Sequence, residues 1–263
     1  MNNIVQNKIG AFTIIELLVV AAVIGILVVL ALAARVRAQV EDDRGKCVGN
    51  ERAIGVAFRV FGSDNDDRYP LAAKRNDYIV QGGAVGTQVD SSSAAAWQVA
   101  QAMWSELLSP KVLLCPGDRE RTNASRVTDF KGLAGASGVM TTASLGHPTN
   151  QDNALSYGFG VAADELRPQG FLAIDRNLNN VGIAGANVLS NVALTRTRAV
   201  LIGVAGPTQA VWLMGTPMHG LEGNIGLADG SVQQVTAAKL QWYLQKAATT
   251  YSTITNQNEM LFP

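Results

Sequence analysis

One carboxylate, Glu16, stands inside an apolar run from Phe12 to Ala34 that holds one glycine and no proline. An ionised side chain in such surroundings is costly, so by default it has a partner and a task. His219 and Asp229, ten positions apart and followed by Gly230, offer an imidazole and a carboxylate, the pair that ligates metals or carries protons. Only Glu222 lies near them as a third ligand, so a histidine that fixes a hairpin through a hydrogen bond is the simpler reading. Cys47 and Cys115 complete the reactive set. Outside the cytoplasm they can form a disulfide whose loop of roughly 70 residues is worth about 4 kcal/mol in the chain-entropy model. The alternative, slightly preferred, is two small buried hydrophobes.

Other chemistries lack their residues. There is no nucleophile elbow, phosphate-cradling loop or HExxH, and Gly158-Phe-Gly160 lacks the third glycine and the helix start of a dinucleotide loop. A formal net charge of zero with no long basic run gives nucleic acid nothing to bind. The acidic stretch Ser63 to Pro70 fails as a calcium loop, because Arg68 stands where a ligand belongs and no glycine follows; it reads as a cap or turn.

These residues need elements to position them. A helix over Phe12 to Ala34 would be about 34 Å long at ~1.5 Å per residue, enough to cross a hydrocarbon core of roughly 30 Å. Past Ala34 the apolar positions Val36, Val40, Cys47, Ile54, Phe58 and Phe61 recur near helical spacing, so one helix continues as an amphipathic rod to about Phe61. Gly25, Gly45, Gly49 and Gly55 weaken it locally. Asp90 to Ser93 can cap a second helix over Ala94 to Leu108, with Trp97, Ala100, Trp104, Leu107 and Leu108 on one stripe. Val112 to Cys115 reads as a short strand, and Gly117 to Asn153 as a long surface loop. Strands are expected at Ser156 to Val161, Gly170 to Ile174, Val200 to Val204 and Ala210 to Met214. Asp229-Gly230 predicts a two-residue type I′ hairpin pairing Leu227 with Val232. Sequential strands without intervening helices make the class α+β, a long N-terminal helix on a C-terminal antiparallel sheet. With 263 residues, 48% hydrophobic and 16% charged, one domain beyond the helix is the expectation.

Gly10-Ala11-Phe12-Thr-Ile-Ile-Glu16-Leu-Leu-Val-Val resembles the class III signal of type IV prepilins and type II secretion pseudopilins. His219 and Asp229-Gly230 resemble the H-X9-DG prepilin-type processing-associated domain. Cys47, Asn50, Ile54-Gly55, Asp64 to Pro70, Leu114 to Asp118, Ser156-Tyr157 and Asp175 to Asn177 look like the same family's landmarks in order.

The resemblance implies a leader, residues 1–11, removed by a membrane-embedded prepilin peptidase that methylates the new amine of Phe12. Family members usually carry Gly directly before the cut. Here cleavage after Ala11, the preferred site, leaves Glu16 fifth in the mature chain, and cleavage after Gly10 leaves it sixth. Glu16 would then be neutralised by the terminal amine of a neighbouring subunit. Gly25 lies where related pilins loosen the helix in the filament, with close packing of small residues the alternative.

The implied plan is a transmembrane half over 12–34, an amphipathic half over 35–62, a pilin-like domain over 63–247 and a tail over 248–263. Partners would be further copies of the chain, the peptidase, an inner-membrane assembly platform and membrane lipid, with no cofactor and no catalysis. The leader would be cytoplasmic and the body outside a bacterial inner membrane, although Arg35 and Arg37 against Lys8 lean the other way on the positive-inside rule. An ordinary signal peptide cut near Ala31-Leu32-Ala33 fits neither the length of the apolar run nor its acid. The rivals are a membrane-anchored binding module and an anchored enzyme using His219 and Asp229.

Overall fold

In a computed structural model, the described residues are 13–73, 94–121, 126–132, 140–178, 197–201, 210, 212, 218–250 and 258–263. The chain divides into two units, Met1–Asp42 and Asp43–Pro263. The first is the apolar half of helix α1, Ile14–Asp64, which runs through Gly25 without a break. Its large side chains stand exposed, from Ile14 and Leu17 to Leu32. Only a helix satisfies all its own backbone hydrogen bonds in lipid, and this one is long and apolar enough to span a membrane.

In the second unit, the remainder of α1 buries Cys47, Ile54, Ala57, Phe58 and Phe61, all on one face. It ends at Asp64, where Asn65 donates its side-chain amide to Phe61 O (2.8 Å) and Asp66 and Asp67 take positive φ. Short polar side chains tolerate that geometry, so the acidic stretch caps the helix.

Among the described residues, six strands form one antiparallel sheet in the order β3-β6-β1-β2-β4-β5. Their ranges are β1 Tyr157–Gly160, β2 Phe171–Asp175, β3 Thr197–Val200, β4 Glu222–Leu227, β5 Val232–Thr236 and β6 Glu259–Phe262. Both faces are covered. Tyr157, Phe159, Leu172 and Leu261 join the cluster of α1, while Ile174, Ile225, Met260 and Phe262 join that of α4, Ala237–Thr250. Central strands therefore read as unbroken apolar runs rather than alternations.

Several expectations are corrected. The second helix is two pieces, α2 Ala96–Ala102 and α3 Trp104–Leu107, and Leu108 leaves the stripe at φ 60, 85% exposed. Its proposed cap, Asp90 to Ser93, lies outside the described residues. Residues 110–113 are a 3-10 turn instead of a strand, because Pro110 presets φ and Ser109 accepts the Lys111 N–H. The 117–153 stretch is no surface loop where described: Val127, Phe130 and Leu145 are buried in the core.

The tail is not a tail. Residues 248–250 finish α4, and Glu259–Phe262 pair with β1 and β3 inside the sheet. Of the strand expected at Val200 to Val204, only Val200 belongs to β3, and in 210–214 only Ala210 and Trp212 are described.

The hairpin has a three-residue loop. Gly230 N–H donates to Leu227 O (2.9 Å), Leu227 N–H donates to Ser231 O (2.8 Å), and Val232 pairs with Gly226 rather than Leu227. Only Gly230, at φ 84, needs the left-handed conformation. A single positive φ gives a type I turn with a bulge, where type I′ would need two.

Candidate functional site

Glu16 lies in the first turn of α1, beside Thr13. Its Oε2 accepts from Thr13 N–H (2.9 Å) and Thr13 Oγ1 (2.8 Å), while Glu16 N–H donates to Thr13 Oγ1 (3.3 Å). This is a reciprocal capping box, which satisfies helix-start donors that would otherwise be orphaned. Gly10, Ala11 and Phe12 lie outside the described residues.

A second site gathers the landmarks scattered through the chain. Cys47 on α1 and Cys115 are joined as a disulfide, with Cα atoms 5.1 Å apart, so the reading of two separate buried thiols does not hold. Two features bring them together. The 3-10 turn at Pro110–Leu113 aims the chain back at the helix, and Asn50, one turn beyond Cys47, donates to Leu114 O at 2.8 Å.

After Cys115 a turn closes with Asp118 N–H on Cys115 O (2.9 Å), its Pro116 preset for that position. The turn delivers Asp118 to Arg176, which donates from Nε and Nη2 to both carboxylate oxygens at 2.7 Å. Ser156 Oγ also donates to Asp118 (2.9 Å), and Glu120 accepts from Arg176 (2.7 Å). Arg176 and Asp118 are almost fully buried, and a bidentate ion pair is the form in which such charges are tolerated. Burial works against the Arg176 charge, yet these carboxylates outweigh it and raise its pKa.

His219 does not meet Asp229. Asp229 sits exposed in the turn beyond β4, accepting from Ser231 N–H (2.8 Å), while His219 precedes that strand. Six residues at ~3.3 Å each place about 20 Å of strand between them, so they share neither a proton nor a metal. The partners of His219 lie elsewhere. Its Nε2 is 3.3 Å from Cys115 Sγ and 3.6 Å from Asp175 Oδ2. Asn177 holds the segment in place by donating to Gly220 O and Glu222 O. Burial, then the nearby Arg44 charge, pushes the imidazole down to about 4, so it is neutral at physiological pH.

Beside this cluster lies Glu51, which sequence reasoning passed over. It is 1% exposed, and among the described residues neither carboxylate oxygen has a hydrogen-bond partner. An added Cβ at Gly226 would stand 3.6 Å from its Oε2, ordinary contact distance, which places the carboxyl directly against β4. Burial, reinforced by Asp175, raises its pKa well above the ordinary value, so the fold favours the neutral acid.

Asp175 is also raised, to about 7, by burial against the pull of the Asn224 N–H on its Oδ2 (2.7 Å). Its Oδ1 has no hydrogen-bond partner among the described residues. The signal for Glu51 was available: it falls on the Cys47, Ile54, Phe58 stripe, the one fully buried acid of α1 in this unit.

No protein-family model, curated protein or solved structure matches this chain.

Proposed function

We propose that the chain is a pilin-like structural subunit, stored in a membrane by the first half of α1 and assembled into a filament through that helix. The observation that carries the proposal is α1 itself, 51 residues in one piece. Its first half exposes an apolar surface, while its second half is built into the core of an antiparallel domain. A soluble protein has no reason to display such a surface, whereas lipid or the helices of further copies would cover it. On this reading peptidase cuts before Phe12, the body lies outside the inner membrane, and Glu16 trades its Thr13 contacts for the new amine of a neighbouring copy. Long pilus and short secretion pseudopilus share this physics. No catalysis is assigned.

The intact mass of the mature protein tests the first step. Loss of residues 1–11 with gain of one methyl group is expected, and a mature chain that keeps its leader sinks the proposal.

The capping box favours a second reading, a membrane-anchored domain whose Glu16 merely starts a helix. Glu16→Gln separates the two. A subunit would still accumulate in the membrane but fail to enter filaments, whereas an anchored domain would lose no function.

A further inference from the structure

The disulfide and His219 make a combination that structural support does not require. The sulfurs of Cys47 and Cys115 and a ring nitrogen of His219 all lie within 4.8 Å of one another, and all three residues are buried. A tetrahedral zinc site has Zn–S near ~2.3 Å and Zn–N near ~2.0 Å, which sets ligand-to-ligand edges at roughly 3.4–3.8 Å. Cys115 Sγ to His219 Nε2, at 3.3 Å, nearly matches such an edge. So does His219 Nε2 to Asp175 Oδ2, at 3.6 Å. Asp175 is fully buried and its Oδ1 has no hydrogen-bond partner among the described residues. Forming the site requires the two bonded sulfurs to part to about 3.8 Å and the Asp175 carboxylate, which lies beside His219 but outside the 4.8 Å group, to close on them; side-chain rotation provides both movements.

We propose that Cys47, Cys115, His219 and Asp175 form a two-state site, a disulfide when oxidised and a thiolate, imidazole and carboxylate site for Zn²⁺ when reduced. A thiol or dithiol reductant supplies two electrons and two protons, breaking the S–S bond and leaving two thiols while it becomes a disulfide itself. Zn²⁺ then displaces both thiol protons to solvent and forms two Zn–S bonds without changing oxidation state. The imidazole donates its Nε2 lone pair, and the Asp175 carboxylate occupies the fourth position. The metal replaces the covalent link between α1 and residue 115, so the same junction is fastened in either state. Thiolate with imidazole is a borderline-soft donor set, which selects zinc over calcium or magnesium. The inference is independent of filament assembly, since every ligand lies in the sheet-bearing unit.

The test uses the full chain in detergent. A phosphine reduces the disulfide, taking an oxygen atom from water and adding no competing thiol. Zinc content and the absorption of the Co²⁺-substituted protein are then measured. The expected result is one metal per reduced chain, with a sulfur-to-cobalt charge-transfer band, and none per oxidised chain. Cys47→Ser and Cys115→Ser remove the band, and His219→Ala weakens affinity at least tenfold. Far-UV circular dichroism covers the case in which reduction unfolds the chain: refolding on addition of zinc supports the site. No metal uptake, uptake that survives His219→Ala unchanged, or zinc that fails to restore structure overturns it.

Discussion

Glu51 is the residue with the clearest pH signature. A carboxyl whose folded pKa is raised contributes fully below its ordinary value of 4.5 and loses that contribution as pH rises through the folded pKa, because the unfolded chain releases its proton first. Asp175, pushed up to about 7, adds a slope of the same sign. His219, pushed down to about 4, acts oppositely. Its neutral form is the one the fold accepts, so stability falls as pH drops from the ordinary 6.5 toward that value. Glu51→Gln keeps the shape and removes the titration. Unfolding midpoints in denaturant measured from about pH 5 to about pH 9 should fall less steeply for the variant, which gains on the order of 1 kcal/mol over the wild type at the alkaline end. Identical slopes would mean that Glu51 is ionised in the fold. Cysteine and histidine were legible as reactive types, yet their true partners were not. The ten-residue spacing from His219 to Asp229 coincides with the length of a strand and its flanks, and a strand separates its ends.

At the scale of elements, α1 was readable almost to the residue because its apolar face persists from the membrane-like half into the core. The sheet was less so. Phe171 to Ile174 are buried on both faces, so the expected strand carried no alternation to fix its register or reveal its neighbours. Helix α4 was missed although Leu240, Leu244 and Ala247 repeat at helical spacing on a buried face. β6 was missed because its four residues are too few for any periodicity. The weight of α4 is measurable. Leu240 is fully buried against the second core cluster, and Leu240→Ala should cost about 2–5 kcal/mol in equilibrium unfolding. Exposed Trp242 on the same helix provides the contrast, since its replacement by Ala should stay within about 1 kcal/mol.

For the whole molecule, the organising fact is that one helix belongs to two environments, and the domain-bearing half is fastened to the sheet unit by apolar packing and by one covalent link. Neither the Asp118–Arg176 pair nor the disulfide could be placed from sequence alone. Both depend on a turn returning residues 115–118 to α1 and β2, and the local signals there read otherwise, Pro110 as the stop of a helix and Pro116 as the end of a strand. The link between Cys47 and Cys115 spans 68 positions of sequence. Tension applied between the start of α1 and the sheet therefore bypasses everything from Val48 to Leu114. Stretched in single-molecule pulling, the oxidised chain should yield a contour about 230 Å shorter than the reduced one, at roughly 3.4 Å per residue. Pulled by its helix, the chain would thus keep that whole loop slack while the load passes through a single pair of sulfur atoms.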